Sequence, residues 1–183
     1  MWRGAIQEVL ISEAELRHRV HTLGEAITAD YQGRALVFIA VLKGAMFFLA
    51  DLARAVDLPL TIDCMAVSSY GAGQASSGVV RILKDLDDNI VGKHVLIVDD
   101  IIDTGLTLHY LLHHIAARGP ADVNGCVLLD KRARRLVDLP IKYKGFDIPD
   151  TFVVGYGLDY QGRYRNLPFI GALRPELFRA HEG

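Results

Sequence analysis

From Ala35 to Leu42 every side chain is apolar. A strand with one wet face would alternate, so an unbroken run of this kind asks for a strand covered on both faces. Lys43-Gly44 interrupts the run, and Ala45 to Val56 returns to helical spacing. Leu60–Val67, His94–Val98 and Val123–Leu129 read as three more strands, with Phe152–Val154 as a fifth. Thr107–Arg118 lies between two of them and places Leu108, Leu111, Leu112 and Ile115 on one helical face, ending at Gly119-Pro120. Strand, helix, strand, helix with short joints predicts an α/β fold: a mainly parallel central sheet flanked by helices.

The chain opens with a further helix. Ser12 and Glu15 have the capping-box spacing, and Leu16, Val20, Leu23 and Ile27 follow on one face until Gly33. Between Ser68 and Gly78 the residues are Ser, Tyr, Gly, Ala and Gln, too small and polar to build a core, so a long mobile loop is expected there. Val79–Leu83 reads as the return arm of a hairpin. Gly155–Arg165, rich in Gly, Tyr and Arg without a period, reads as a small lid. No internal repeat or linker interrupts the 183 residues, so one domain is expected.

Composition removes several classes. With 51% hydrophobic residues and a formal charge of −2, the chain is neither disordered nor a general nucleic-acid coat. The N-terminal residues lack a signal-type apolar stretch, and Ala35–Ala50 falls short of the roughly 20 residues that a membrane span needs. Cys64 and Cys126 stand in apolar runs and read as reduced, buried thiols, which suits the cytoplasm.

Ligands of open α/β sheets bind at the carboxyl ends of strands. After Val98 stand Asp99 and Asp100, then Asp103, Thr104, Gly105, Leu106 and Thr107, leading into a helix. Two adjacent carboxylates suit a sugar diol or a hard cation such as Mg²⁺. Small residues opening a helix offer amide hydrogens to a phosphate, and threonine hydroxyls add donors. The combination is a cradle for a sugar phosphate. Asp-Thr-Gly as a plain helix cap would explain the later residues but not the paired acids.

Val95–Thr107 resembles the phosphoribosyl-diphosphate motif of type I phosphoribosyltransferases, and the likeness runs in register from about residue 8 to 175. Val41–Ala45 resembles the diphosphate loop of that family, and Ser68–Gly71 the start of its closing flap. Lys131 and the stretch Gly145–Tyr160 resemble the purine end of its hypoxanthine-guanine branch. The resemblance implies a single phosphoribosyltransferase domain over 1–183, with a flap at about 68–84 and a purine-binding hood at about 150–175. It implies purine salvage: transfer of the 5-phosphoribosyl group of phosphoribosyl diphosphate to N9 of hypoxanthine or guanine, forming IMP or GMP and diphosphate.

The same resemblance assigns roles. Asp99 and Asp100 would hold the ribose hydroxyls and, with Asp159, Mg²⁺. Asp103 would be the general base near N7 of the purine. Thr104, Gly105, Leu106 and Thr107 would bind the 5′-phosphate, and Lys43, Gly44 and Arg165 the diphosphate, with the Leu42–Lys43 peptide cis. Lys131, Phe152, Val153 and Asp159 would form the purine site, with Lys131 on the 6-oxo group and Phe152 stacked on the ring. Ser69 and Tyr70 would belong to the flap. The family commonly has Glu followed by Asp where this chain has Asp99-Asp100. A homodimer or homotetramer is implied, with no nucleic-acid or membrane partner.

Other readings compete. Lys131–Arg135 can be a solvated basic patch, and Phe152 and Tyr156 plain core. His109 and His113 lack a third ligand or a zinc motif and read as ordinary histidines. A regulator on the same fold would bind phosphoribosyl diphosphate and act on RNA or DNA, but such relatives often lose the acid that stands here as Asp103. A signalling receiver would carry its Asp pair near the N-terminus rather than mid-chain.

Overall fold

The structure is a computed structural model that describes residues 4–69, 80–139 and 141–179. A six-stranded sheet carries the strand order β4-β3-β2-β5-β6-β7, where β2 is Leu36–Leu42, β3 Leu60–Ser69, β4 Val80–Lys84, β5 His94–Ile102, β6 Asp122–Asp130 and β7 Ile141–Asp147. All its pairings are parallel except β3 with β4. A second sheet, β1-β9-β8, is antiparallel and joins Ile6–Ile11, Ile170–Leu173 and Val153–Val154.

Alternation within the apolar runs explains the two-sided sheet. Phe38, Ala40, Leu96, Val98, Cys126 and Leu128 enter the cluster that packs on α1 (Glu13–Asp30) and α2 (Met46–Ala55). Their neighbours Val37, Ile39, Val95, Ile97 and Val127 enter the opposite cluster, against α3 (Leu106–Ala116). The helix after β2 and the helix after β5 therefore cover opposite faces. β2 and β5 are adjacent, so the chain parts at their carboxyl ends and leaves a crevice.

At the start of α1, Ser12 accepts from the Glu15 amide while Glu15 accepts from the Ser12 amide. Loss of such a cap costs about 1 kcal/mol. α4 (Pro175–Arg179) ends the described chain.

Several expectations need correction. Phe152–Val154 supplies only the two-residue β8, and it joins the small sheet. The fifth parallel strand is β7, whose lysines and glycine hid it; β1 and β9 also went unread. The segment 155–165 is not only a lid, since Tyr156 and Leu158 are buried in the larger core cluster. Cys64 is half-buried, whereas Cys126 is fully buried, and both thiols are free. β5 runs on to Ile102, which puts Asp99 and Asp100 inside the strand rather than behind it. Most of the loop expected at Ser68–Gly78 lies outside the described residues, as do Tyr70 and Val79. Its flanks are described: Val67, Ser68 and Ser69 pair with Ile82, Arg81 and Val80 as an antiparallel ribbon.

Candidate active site

Three strand ends build the crevice. At the end of β2 the Leu42–Lys43 peptide is cis, Lys43 is exposed, and Gly44 lies hard against β5. A Cβ on Gly44 would stand 1.7 Å from Asp100 Oδ2, and one on Gly157 would stand 2.1 Å from the Gly44 carbonyl oxygen. Gly157 also has φ +105, where side chains are rarely accommodated. The two glycines thus bring the diphosphate-type loop, the acid pair and the 155–165 segment into contact.

On β5, Asp99 is buried and its Oδ1 accepts the Asp100 amide at 3.1 Å; Asp100 Oδ1 accepts the Ile101 amide at 2.9 Å. Burial raises the pKa of both, and the neighbouring Asp100 charge pushes Asp99 further. A carboxyl raised in this way binds its proton more readily in the folded chain than in the unfolded one. Its contribution to stability is complete below the ordinary carboxylate range and is lost as pH rises through the raised value. In chelator and without substrate, Asp99→Asn is therefore expected to raise Tm at about pH 7, with the gap closing toward about pH 4. A thermal-melt series over pH checks this; a variant that melts lower than wild type at every pH overturns it.

Beyond the acids, Gly105 caps α3, whose first turn carries amide hydrogens without helical partners. Thr104 Oγ1 accepts from one of them, the Leu106 amide, at 3.4 Å. Thr107 is half-buried in the same turn. This is the anion-binding end of a helix.

Register brings the third strand end alongside. Ile102 pairs with Asp130, so the next residues, Asp103 and Lys131, leave the sheet side by side. Both line a cavity of about 270 Å³ together with Asp100, Phe152, Val153 and Asp159. Lys131 is almost wholly buried, and its Nζ lies 3.7 Å from Asp150 Oδ1. Phe152 is partly exposed, meets Tyr160 edge to face and stacks on Phe178. Arg165 Nη2 pairs with Asp159 Oδ1 at 2.5 Å, while Asp159 Oδ2 accepts the Gly162 amide at 2.7 Å. Arg165 also donates to the Gly157 carbonyl. Of the flap residues, Ser69 closes β3.

Of the arginines that follow Lys131, Arg132 and Arg134 are exposed, as a solvated patch would be, and Arg135 is half-buried. Arg134 Nε lies 2.9 Å from Asp103 Oδ1 and its Nη1 3.5 Å from Asp150 Oδ1. Arg135 grips the buried Asp130. Sequence reading missed Asp130, Arg134, Arg135, Asp150 and Gly157. Strand-end alignment would have pointed to the first three, because Asp130 ends β6 beside the end of β5.

A larger depression of about 860 Å³, lined by α1, α2 and residues 166–168, contains none of the predicted site residues. The polar convergence lies in the smaller cavity, which is therefore the candidate site. His109 and His113 stand on the exposed face of α3, with His113 Nδ1 2.9 Å from the His109 carbonyl. Among the described residues no helix is long and apolar enough to cross a membrane.

The family model of the phosphoribosyl transferase domain matches residues 7–161. The chain is 48% identical to a hypoxanthine-guanine phosphoribosyltransferase of Mycobacterium avium, over 98% of this chain and 91% of that one. It is 47% identical to the enzyme of the same name from Bacillus subtilis, over 98% of this chain and 100% of the relative. Among solved structures, a hypoxanthine phosphoribosyltransferase from Staphylococcus aureus superposes with a TM-score of 0.93 at 45% identity, covering 96% of each chain.

Proposed function

The chain belongs to the phosphoribosyl transferase family, and from that membership we propose how its site performs the transfer. It is a purine-salvage transferase of the hypoxanthine-guanine type, moving the 5-phosphoribosyl group of phosphoribosyl diphosphate to N9 of hypoxanthine or guanine. IMP or GMP and diphosphate are the products. The observation that carries this reading is the convergence of Asp100, Asp103, Lys131, Phe152 and Val153 on one cavity beside the helix end that suits a phosphate.

In the reaction the bond from C1′ to the diphosphate oxygen breaks, the bond from C1′ to N9 forms, and the purine loses a proton. Asp103 takes that proton at the ring. Positive charge grows on the ribose and negative charge on the leaving group. Lys43 and Arg165 meet the latter, and a preorganised donor of this kind is worth about 3–4 kcal/mol. The 104–107 turn holds the 5′-phosphate. Asp99 and Asp100 hold the ribose hydroxyls. Lys131 donates to the 6-oxo group, Phe152 stacks on the ring, and Val153 and Asp159 meet the edge of the base. A flap at about 68–84, with Ser69 and Tyr70 in it, would keep water from the reactive ribose.

The donor set fits Mg²⁺. Two adjacent carboxylates, Asp99 buried and Asp100 half-buried, whose protonation is favoured by desolvation gain from a hard cation, and Mg²⁺ is usually held by one or two carboxylates with substrate oxygens. When bound, it neutralises the departing diphosphate. Asp159, which pairs with Arg165 in this structure, would join them by giving up that partner for the cation.

Purified protein with Mg²⁺, phosphoribosyl diphosphate and hypoxanthine is expected to release diphosphate and form IMP; no release refutes the reading. Lys131→Ala should raise KM for the base about 10- to 100-fold, with little change for phosphoribosyl diphosphate. If steady-state kinetics show base affinity and base preference both unchanged, the purine assignment is wrong. Cytoplasmic location and a dimer or tetramer complete the proposal, the first supported by two free thiols.

A further inference from the structure

Asp130 is completely buried, yet it does not line the cavity. Arg135 closes on it as a fork, Nε to Oδ1 at 3.0 Å and Nη2 to Oδ2 at 2.8 Å. Lys144 Nζ approaches Oδ2 at 3.4 Å but has its own nearer partner in Asp147, at 2.6 Å. Exchange of a buried ion pair for well-packed apolar residues is often neutral or stabilising, so stability alone is a poor reason for this one.

Its position suggests another. Asp130 and Arg135 are the two ends of a short loop, and the fork ties them together. Inside the loop, Arg132–Arg134 form a 3₁₀ turn, with the Arg134 amide donating to the Lys131 carbonyl at 2.9 Å. Toward β5, the Lys131 amide at the start of the loop donates to the Ile102 carbonyl at 3.0 Å, and the Leu136 amide just past its end donates to the Thr104 carbonyl at 2.9 Å. Those two carbonyls flank Asp103. The loop therefore bridges Asp103 from one side to the other, carrying Lys131 into the purine cavity and Arg134 onto the Asp103 carboxylate.

We infer that Asp130 and Arg135 are positioning residues: their buried pair clasps the 131–136 loop over Asp103 and sets Lys131 and Asp103 in register with each other. The inference rests on the roles proposed above for Lys131 and Asp103. Arginine is the residue for the task because its planar fork fixes direction as well as distance, which a lysine ammonium does not.

Steady-state kinetics of Arg135→Lys test it, with Lys144→Met as the control that removes the other cation near Asp130 without touching the loop. Arg135→Lys should lower kcat/KM for hypoxanthine about 10- to 100-fold, the scale of a small misplacement of reacting groups, and leave KM for phosphoribosyl diphosphate within about twofold. Lys144→Met should leave both near wild type. A double variant, Asp130→Leu with Arg135→Met, restores apolar packing without the fork. It should bind phosphoribosyl diphosphate normally yet stay slow toward the base. The clasp is overturned if Arg135→Lys and Lys144→Met behave alike, if both substrates suffer equally, or if the apolar pair restores full turnover. Lys131→Ala measured alongside separates the two levels. If it moves the KM for the base while Arg135→Lys does not, only the clasp falls; if it moves nothing, the reading of the base site falls and the clasp with it.

Discussion

Asp103→Asn should reduce kcat by about 10²–10⁴-fold, the usual worth of general-base assistance, and leave the affinity for phosphoribosyl diphosphate close to wild type. Asparagine keeps the shape of the side chain and the lining of the cavity but cannot accept the purine proton. The groups proposed for the phosphosugar are elsewhere: Asp99 and Asp100 within β5, the 104–107 turn, Lys43, Gly44 and Arg165. The substitution also removes the partner of Arg134, which retains Asp150 at 3.5 Å. Arg134→Gln measures that loss by itself. Arg134 and Asp103 are both about half exposed, so their ion pair is worth at most about 1 kcal/mol, well short of the catalytic deficit. Diphosphate release gives the rate, and calorimetric titration gives the affinity. Turnover of Asp103→Asn within a few-fold of wild type would mean that the proton leaves by another route.

The second large effect is expected from a single methyl group. In Gly44→Ala the new Cβ would overlap Asp100 Oδ2, at 1.7 Å, and neither neighbour can easily retreat. The other Asp100 oxygen is held by the Ile101 amide, and Gly157 is packed against the Gly44 carbonyl from the far side. Overpacking of this kind costs about 1–3 kcal/mol of stability. The displacement falls on the proposed diphosphate loop and ribose acid together, so kcat/KM for phosphoribosyl diphosphate should fall by about 100-fold or more. Gly157→Ala should resemble it, since it strikes the same carbonyl and adds strain at φ +105. A Gly44→Ala enzyme with a normal KM for phosphoribosyl diphosphate and a raised KM for hypoxanthine would place the loop at the wrong substrate.

Much of this architecture is legible in the sequence. The runs Ala35–Leu42 and His94–Val98 carry the two-sided burial of parallel strands, and the Ser12–Glu15 cap and the α3 pattern are local signals that the fold keeps. β7 escaped because its lysines and glycine break the apolar run, and β1 and β9 because they are short and pair only within the small sheet. Tyr156 fits its reading as plain core, but Leu158 looked like a lid residue, as a turn-rich segment has no period to announce that it packs on a core.

The sequence by itself determined the fold class and the contiguous order of the proposed cradle, Asp99 through Thr107, because burial period and helix entry are properties of neighbouring residues. The tertiary structure alone decided that Lys131 stands beside Asp103, that Arg134 faces that carboxylate and that Gly44 meets Asp100. Those contacts join segments distant in the chain. They follow from the register of one strand against the next and from packing too close for a side chain, neither of which leaves a mark on local spacing.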